Sequence, residues 1–329
     1  MGFAGAPVGA ALGVWLCMVP ALALAIDRSL GEPPARWHPV VWMGRYLAWA
    51  GRWIAPAADT PRSASGDARA FVRGVLAWCA GAVVLVALAW GVQAGVLRLP
   101  DWAAVLVLAL LLKPMLAWAM LHDEVLAVER ALAESLDEGR AQLARLVSRD
   151  VAPLEATGVR ESAIESLAEN LNDSLVAPLF WFVLLGLPGA VLLRFANTAD
   201  AMWGYRGVRA ERDYRRAGTW AARADDLLCW LPARLTALLI GALGGLRGWR
   251  RLPREAARTP SPNGGWPMGA MALVLGVRLG KPGAYVLGEG GRTPEPADLL
   301  RACAVASRVA VAATLLACAG AGAWAWGFQ

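Results

Sequence analysis

The chain has 329 residues, of which 57% are hydrophobic and 18% charged, and its net charge is +6. So apolar a composition excludes an ordinary soluble domain and points to a polytopic membrane protein. Of the 32 basic residues only Lys113 and Lys281 are lysines, and no nucleic-acid motif accompanies the charge, so nucleic acid is not an expected partner.

In chain order, the first apolar stretch, 8–26, offers small cleavage-like residues at Ala21, Ala23 and Ala25 but no Lys or Arg before Arg28. It is expected to be a retained span with its N-terminus outside rather than a signal peptide. A stiff loop follows, carrying Asp27, Glu32 and His38 among Pro33, Pro34 and Pro39. Stretches 74–97 and 102–121 have the length to cross a bilayer. Within 122–160, Val125, Val128, Leu132 and Leu136 recur at helical spacing. Asp137-Glu138-Gly139 reads as a turn, and Leu143, Leu146 and Val147 resume the pattern, predicting a cytoplasmic helical hairpin.

The stretch ESLAENLNDSLVAPLFWF, 165–182, sets acids and amides directly before a membrane-grade apolar run. At 100° per residue Glu161, Glu165, Glu169 and Asn172 fall on one stripe, with Asp173 at its margin. Little basic compensation lies nearby in sequence. A solvated interfacial face is one reading; the other is a carboxylate cluster for Mg²⁺ or a substrate amine. The apolar run 174–193 is interrupted at Gly186-Leu187-Pro188-Gly189, and 227–246 carries Pro232 and Arg234. Between them Asn197 and Asp200 share a helical face, with Arg194 as the expected partner of Asp200. Arginines from Arg206 to Arg223 lead to Asp225-Asp226, a mixture suited less to anionic lipid than to a metal–phosphate site. Residues 247–300 read as Pro/Gly-rich cytoplasmic connectors. Gly276-Val-Arg-Leu-Gly280-Lys281 only approximates a phosphate-binding loop, being one residue short and followed by Pro282. The five cysteines sit singly and read as small core residues. A last span is expected at 302–327.

Arginine counts favour a cytoplasmic position for the four long loops: seven in 27–73, five in 122–160, eight in 194–234 and eight in 247–301. That holds only if the interrupted segments 174–193 and 227–246 are re-entrant, the second bending through Gly241, Gly244 and Gly245. The expected architecture is one all-α integral membrane domain over 1–329. It has about four full spans, one or two re-entrant helical hairpins and amphipathic cytoplasmic helices. A six-span arrangement is the alternative.

Five blocks occur in order: Asp27…Gly31-Glu32-Pro33…His38-Pro39-Val40…Gly44-Arg45; Glu165 to Asn170 with Asp173 and Ala177 to Phe180; Asn197-Thr198…Asp200…Gly204-Tyr205; Ala222-Arg223…Asp225-Asp226…Pro232 to Thr236; and Ser261 to Pro267. Together they resemble the adenosylcobinamide-phosphate synthase family of cobalamin biosynthesis, from residue 20 to about 300. The resemblance implies a multi-pass protein of the bacterial inner membrane. It would join a carboxylate of adenosylcobyric acid to aminopropanol or its phosphate, with ATP and Mg²⁺. Corrinoid, amine and lipid bilayer are the implied partners, with other cobalamin-pathway membrane enzymes as possible associates.

On this resemblance Glu165, Glu169, Asp173, Asp225 and Asp226 are expected at the metal and nucleotide. Glu169, His38 and Glu32 are expected in catalysis, the last two in proton transfer. Arg206, Arg223 and Arg234 would bind phosphates and Arg45 a corrin carboxylate. Asp27, Asn170, Asn197 and Asp200 complete the substrate contacts, and Asn263 and Trp266 would close the site. Rival readings are a non-catalytic membrane sensor or a corrinoid-binding or transport component of the same superfamily. A third, an intramembrane prenyltransferase, finds only weak echoes in Asn197-x-x-Asp200 and Asp225-Asp226.

Overall fold

The structure, a computed structural model, describes residues 15–60 and 63–327, with side chains placed as far as residue 322. The chain enters on α1 (Val19–Leu30) and α2 (Pro39–Ile54). The beginning of the expected 8–26 span lies outside the described residues, and α1 alone, at 12 residues, is too short to cross. His38 caps α2 by accepting the Val40 N–H on Nδ1 at 3.2 Å, and Pro39 follows where a missing N–H is harmless. The outer face of α2 exposes Trp42, Trp49 and Trp53.

α3 (Ala64–Val96) begins ten residues before the expected 74–97 span and runs for 33 residues. At 1.5 Å per residue it measures about 50 Å. α4 (Asp101–Leu112) passes through a 3₁₀ turn, Lys113–Met115, and resumes as α5 (Trp118–Glu134). Pro114 lacks the donor a continuous helix needs, which accounts for the break. Asp101–Glu134 is the second candidate span, extending well past the expected 102–121, and Pro296–Gly322 in the final helix is the third. With the bent pair described below, three or four spans among the described residues satisfy length and composition.

Two sequence expectations are corrected in the next segment. The reversal after α5 falls at Ser135, and Asp137-Glu138-Gly139 lies inside α6 (Leu136–Leu143). Ser135 Oγ accepts the Glu138 N–H at 3.1 Å, an N-cap that outweighs the turn propensity of the sequence after it. Gly139 fits because it packs flat on Leu132.

α7 (Ala156–Leu171) leads through a π-helical turn, Asn172–Val176, into α8 (Ala177–Leu185). Gly186, at φ +69°, ends the run, and α9 (Leu187–Trp203) folds back so that Gly189 abuts the Trp181 carbonyl. Gln93 of α3 accepts the Leu187 N–H at 2.7 Å and satisfies the start of α9. The chain therefore does reverse at the Gly-Leu-Pro-Gly sequence.

The second interrupted segment behaves differently. The β1–β2 ribbon (Val208–Arg209 with Arg212–Asp213) and α10 (Tyr214–Ala217) precede α11 (Thr219–Leu228). α12 (Trp230–Gly244) then runs unbroken. The bend, 46°, is at Cys229 rather than among the glycines. Gly241 and Gly244 instead admit Trp249 and Val274 against α12. The expected 247–300 connectors contain α13 (Leu252–Ala256), the apolar α14 (Gly265–Leu275) and an antiparallel ribbon, β3 (Leu279–Lys281) with β4 (Tyr285–Leu287). Tertiary burial ordered what composition alone marks as loop. α15 (Pro296–Gly327) closes the bundle.

At the centre lies α7, whose Ile164, Leu167, Ala168 and Leu171 have no exposure. Two of its acids are enclosed as well, Glu161 at 6% and Glu165 at 3% exposure, whereas Glu169 is exposed. α7 is a core helix, not an interfacial one.

Candidate functional site

Buried carboxylates need partners, and along α7 these come from distant segments. Glu165 pairs with Arg149 at 2.9 Å and Glu161 with Arg278 at 3.3 Å. The expectation of little basic compensation is thus corrected: the cations are absent from the local sequence and supplied by the fold. Burial still pushes the carboxyls of both Glu161 and Glu165 above the usual range, opposed by those arginines.

Glu169, one turn further, has no ion pair among the described residues. Its side chain is exposed to solvent and lines two cavities. Loss of bulk water, followed by the charges of Asp173 and Glu165, pushes it up to about 7. Lys281 opposes that rise.

The π turn that follows carries the acidic stripe onto a second group of helices. Such a turn inserts a residue and re-aims the side chains beyond it. Asn172 donates to Asp173 Oδ1 at 2.8 Å and accepts from Thr236 Oγ1 at 3.1 Å. Asn197 Nδ2 donates to Asp225 Oδ1 at 2.6 Å. The Cys229 thiol lies 3.8 Å from Asp173 Oδ1 and 3.9 Å from Asp225 Oδ1, bridging the two acids. Asp200 feels the charges of Asp226 and Asp173. It forms no ion pair with Arg194, correcting that expectation: six residues along a helix turn the two side chains about 120° apart and set them about 9 Å apart along the axis. A cavity of about 40 Å³ is bounded by Glu169, Asp173, Asp225, Asp226, Ser261 and Asn263.

A loop covers this cavity. Ser261 Oγ accepts the N–H groups of Asn263 (3.2 Å) and Gly264 (3.0 Å). Asn263 Nδ2 donates to the Asp226 carbonyl at 2.7 Å. Arg234 donates to Asn263 Oδ1 (2.5 Å) and the Pro262 carbonyl (2.9 Å). Its guanidinium lies between Trp230 and Trp266, 4.7 and 4.8 Å from their ring centroids, a doubled cation–π contact. Arg234 and Trp266 therefore hold the loop.

On the other side of Asp173 lies a buried ionic group that includes the second span. Lys113, 4% exposed, reaches Glu32 Oε2 at 2.9 Å and Asp27 Oδ1 at 3.5 Å. His38 Nε2 is 3.0 Å from Glu32 Oε2. Because Nδ1 accepts from Val40, Nε2 carries the proton that faces Glu32. The helix break frees backbone groups that must be satisfied. Asp27 Oδ2 accepts the Ala119 N–H at 2.8 Å, the Ser174 carbonyl accepts the Ala117 N–H at 3.0 Å, and Arg194 donates to the Met115 carbonyl. Arg194 also lies in the field of Asp173, Glu32 and Asp27, so it joins the two groups.

The structure thus brings together Asp27, Glu32, His38, Glu165, Glu169, Asn170, Asp173, Asn197, Asp200, Asp225, Asp226, Arg234, Asn263 and Trp266. Arg206 is exposed but acts electrostatically on Asp226. Arg45 is exposed on α2 with no ion pair among the described residues. Arg223 is exposed beside Arg216 and Asp67, in a cavity that contains none of the acids. Sequence reasoning passed over Lys113, Arg149, Lys281, Tyr285 and, as a bridging thiol, Cys229. For Lys113 a signal was present: a lysine inside a span-length apolar run is expensive unless paired.

Fold and site together define a helical membrane-type protein that encloses a pool of carboxylates between a hairpin and a bent helix pair. Residues 20–313 match the family described as CobD/Cbib protein. A relative from Chromobacterium violaceum, named cobalamin biosynthesis protein CobD, is 42% identical across 87% of this chain and 91% of its own length. Another of that name, from Rhodobacter capsulatus, is 38% identical across 90% and 94%. The probable cobalamin biosynthesis protein CobD of Methanothermobacter thermautotrophicus is 37% identical across 90% and 95%. No solved structure matches. The chain belongs to the CobD/CbiB family.

Proposed function

We propose that the protein acts in cobalamin biosynthesis as an ATP-dependent amide synthase, joining adenosylcobyric acid to aminopropanol or aminopropanol phosphate. The observation that carries the reading is the convergence of Glu169, Asp173, Asp225 and Asp226 on one cavity beneath the Asn263 loop. So many carboxylates in a confined space call for a cationic ligand or a proton load.

A carboxylate and an ammonium do not condense unaided. In the reading we favour, the substrate carboxylate attacks the γ-phosphorus of ATP, giving an acyl phosphate and releasing ADP. The amine, having lost its proton, attacks the acyl carbon. The C–N bond forms, the C–O bond to phosphate breaks, and inorganic phosphate leaves. Glu169 takes the ammonium proton: it is solvent-linked and, at about 7, is matched to proton transfer near neutrality. Arg206, near Asp226, is placed to meet phosphate oxygens.

Among the described residues no three or more His, Cys, Asp or Glu side chains form a protein-only metal site. Mg²⁺ is ordinarily held by one or two carboxylates together with substrate phosphates, and Asp173 and Asp225, bridged by the Cys229 thiol, fit that partial role. When bound, Mg²⁺ would neutralise charge on the transferring phosphate. Asp226 borders the same space, and Asp200 lies in the field of Asp226 and Asp173. Glu165 stays with Arg149, and Arg234 with the loop, as positioning residues. His38 uses both ring nitrogens within the fold and orients Glu32. Arg223 and Arg45 are left for outer contacts with phosphate or corrinoid. The hairpin α8–α9 would be re-entrant, with its acidic end and the arginine-rich loops on the cytoplasmic side of the bacterial inner membrane.

The test is a product assay in membranes supplied with adenosylcobyric acid, aminopropanol phosphate, ATP and Mg²⁺, read by mass spectrometry for the amide. Product from the wild type and none from folded Glu169→Gln or Asp226→Asn supports the reading. Corrinoid binding without product under any of these conditions would favour the transport or sensing role instead.

A further inference from the structure

Glu169 borders two cavities, and only one is the acid-lined space beneath the Asn263 loop. The other, about 180 Å³, lies between α7, the segment ending at Arg149 and the β3–β4 ribbon. Its polar walls carry both signs of charge: Arg149 and Lys281 against Glu165 and Glu169. Two wall atoms are buried without a hydrogen-bond partner, Glu165 Oε1 and Arg149 Nη1. Glu165 is 3% exposed, so an unmatched oxygen there calls for a ligand donor. Lys281 makes no ion pair among the described residues, and the hydroxyl of Tyr285, its cross-strand neighbour, lies 3.8 Å from Met268 Sδ and in the field of Glu165.

The volume falls below the roughly 300–1,000 Å³ of sites for drug-sized ligands, which suits a small molecule better than a corrin ring. Cations on one wall and carboxylates on another select a small molecule that is itself an anion at one end and a cation at the other. We propose that this chamber binds a small phosphorylated primary amine, its phosphate on Arg149 and Lys281 and its ammonium against Glu165 and Glu169. The assignment rests on the amide-synthase reading and deepens it: the amine waits on one side of Glu169 while the carboxylate is activated on the other. Lys281, on a ribbon at the mouth, sets the preference for a phosphorylated over a free amine.

The full chain in lipid nanodiscs would be titrated with aminopropanol phosphate, with free aminopropanol and, separately, with ATP, using wild type, Lys281→Gln and Arg149→Lys. Lys281 is exposed, so its variant should fold; Arg149→Lys keeps a counter-charge for Glu165. Expected is a weakening of aminopropanol phosphate binding by about tenfold or more in each variant. The wild type's preference over free aminopropanol should shrink and ATP affinity should stay unchanged. Unaltered preference in both variants, or an equal loss for ATP, overturns the proposal. The two readings separate cleanly. Lys281-dependent binding of the phosphoamine with no amide formed would keep the chamber and remove the synthase. Amide formation with unaltered preference in the variants would keep the synthase and remove the chamber.

Discussion

Gly264 lies directly against Glu169: a Cβ built at Gly264 would come within 2.8 Å of Glu169 Oε1. Its backbone is in the ordinary right-handed helical region, so alanine there introduces no dihedral strain. The contacts that change are with the Glu169 carboxylate and, at 3.3 Å, with the flexible Met268 methyl. Gly264→Ala should lower the rate of amide formation about tenfold or more by displacing Glu169. Thermal stability should change little, as read by a thermal melt in detergent alongside the product assay.

Glu169 also has opposite expected effects on activity and stability. Its carboxyl is raised from 4.5 to about 7. The folded state therefore holds the proton more tightly than the unfolded chain, and stability falls as pH rises between those two values. Proton acceptance needs the ionised form, so the rate should rise through pH 7 and level off above it. Glu169→Gln should abolish the reaction while being at least as stable as wild type at pH 8. A denaturation series from pH 5 to pH 8 on both proteins checks this.

Lys113 stands between Asp27 and Glu32 with almost no solvent access. Lys113→Met removes the shared cation and leaves the buried Asp27 carboxylate beside that of the partly exposed Glu32. A loss of about 3–5 kcal/mol is expected for breaking a buried pair on one side. Lys113→Met with Glu32→Gln should recover part of it, because the second change removes a stranded charge. Unfolding midpoints of the single and double variants provide the comparison.

Arg234 is held by its planar fork and by two indole rings at once. Lysine supplies the charge but neither the fork nor the stacking. Arg234→Lys should therefore behave nearly as poorly as Arg234→Ala. Both should loosen the 261–267 loop, seen as faster hydrogen exchange at Asn263 and Gly264.

What the sequence made legible was local and periodic. The acidic stripe of α7 and the reversal at Gly186 follow from spacing and glycine, whereas Asn197, read with Asp200, pairs with Asp225. What it hid was non-local. Arg149 precedes Glu165 by 16 residues, outside the helix, and Arg278 follows Glu161 by 117, so the stripe looked uncompensated. The π turn at Asn172–Val176 has no composition of its own, yet it brings Asp173 beside Cys229 and Asp225. α14 read as connector because Gly264, Gly265 and Pro267 punctuate its start, although most of its body is buried. The helix break at Lys113–Met115 was announced by Pro114. Its three stitches, from Asp27, Ser174 and Arg194, depend on segments that meet only in the fold.

The central claim is that a substrate carboxylate is activated as an acyl phosphate within the acid-bounded site and then captured by an amine. Adenosylcobyric acid labelled with ¹⁸O in the reacting carboxylate tests it most directly, with mass spectrometry of the released phosphate. The account predicts one labelled oxygen in inorganic phosphate for each amide formed, and no labelled phosphate from Asp226→Asn. Amide formed with unlabelled phosphate would contradict it.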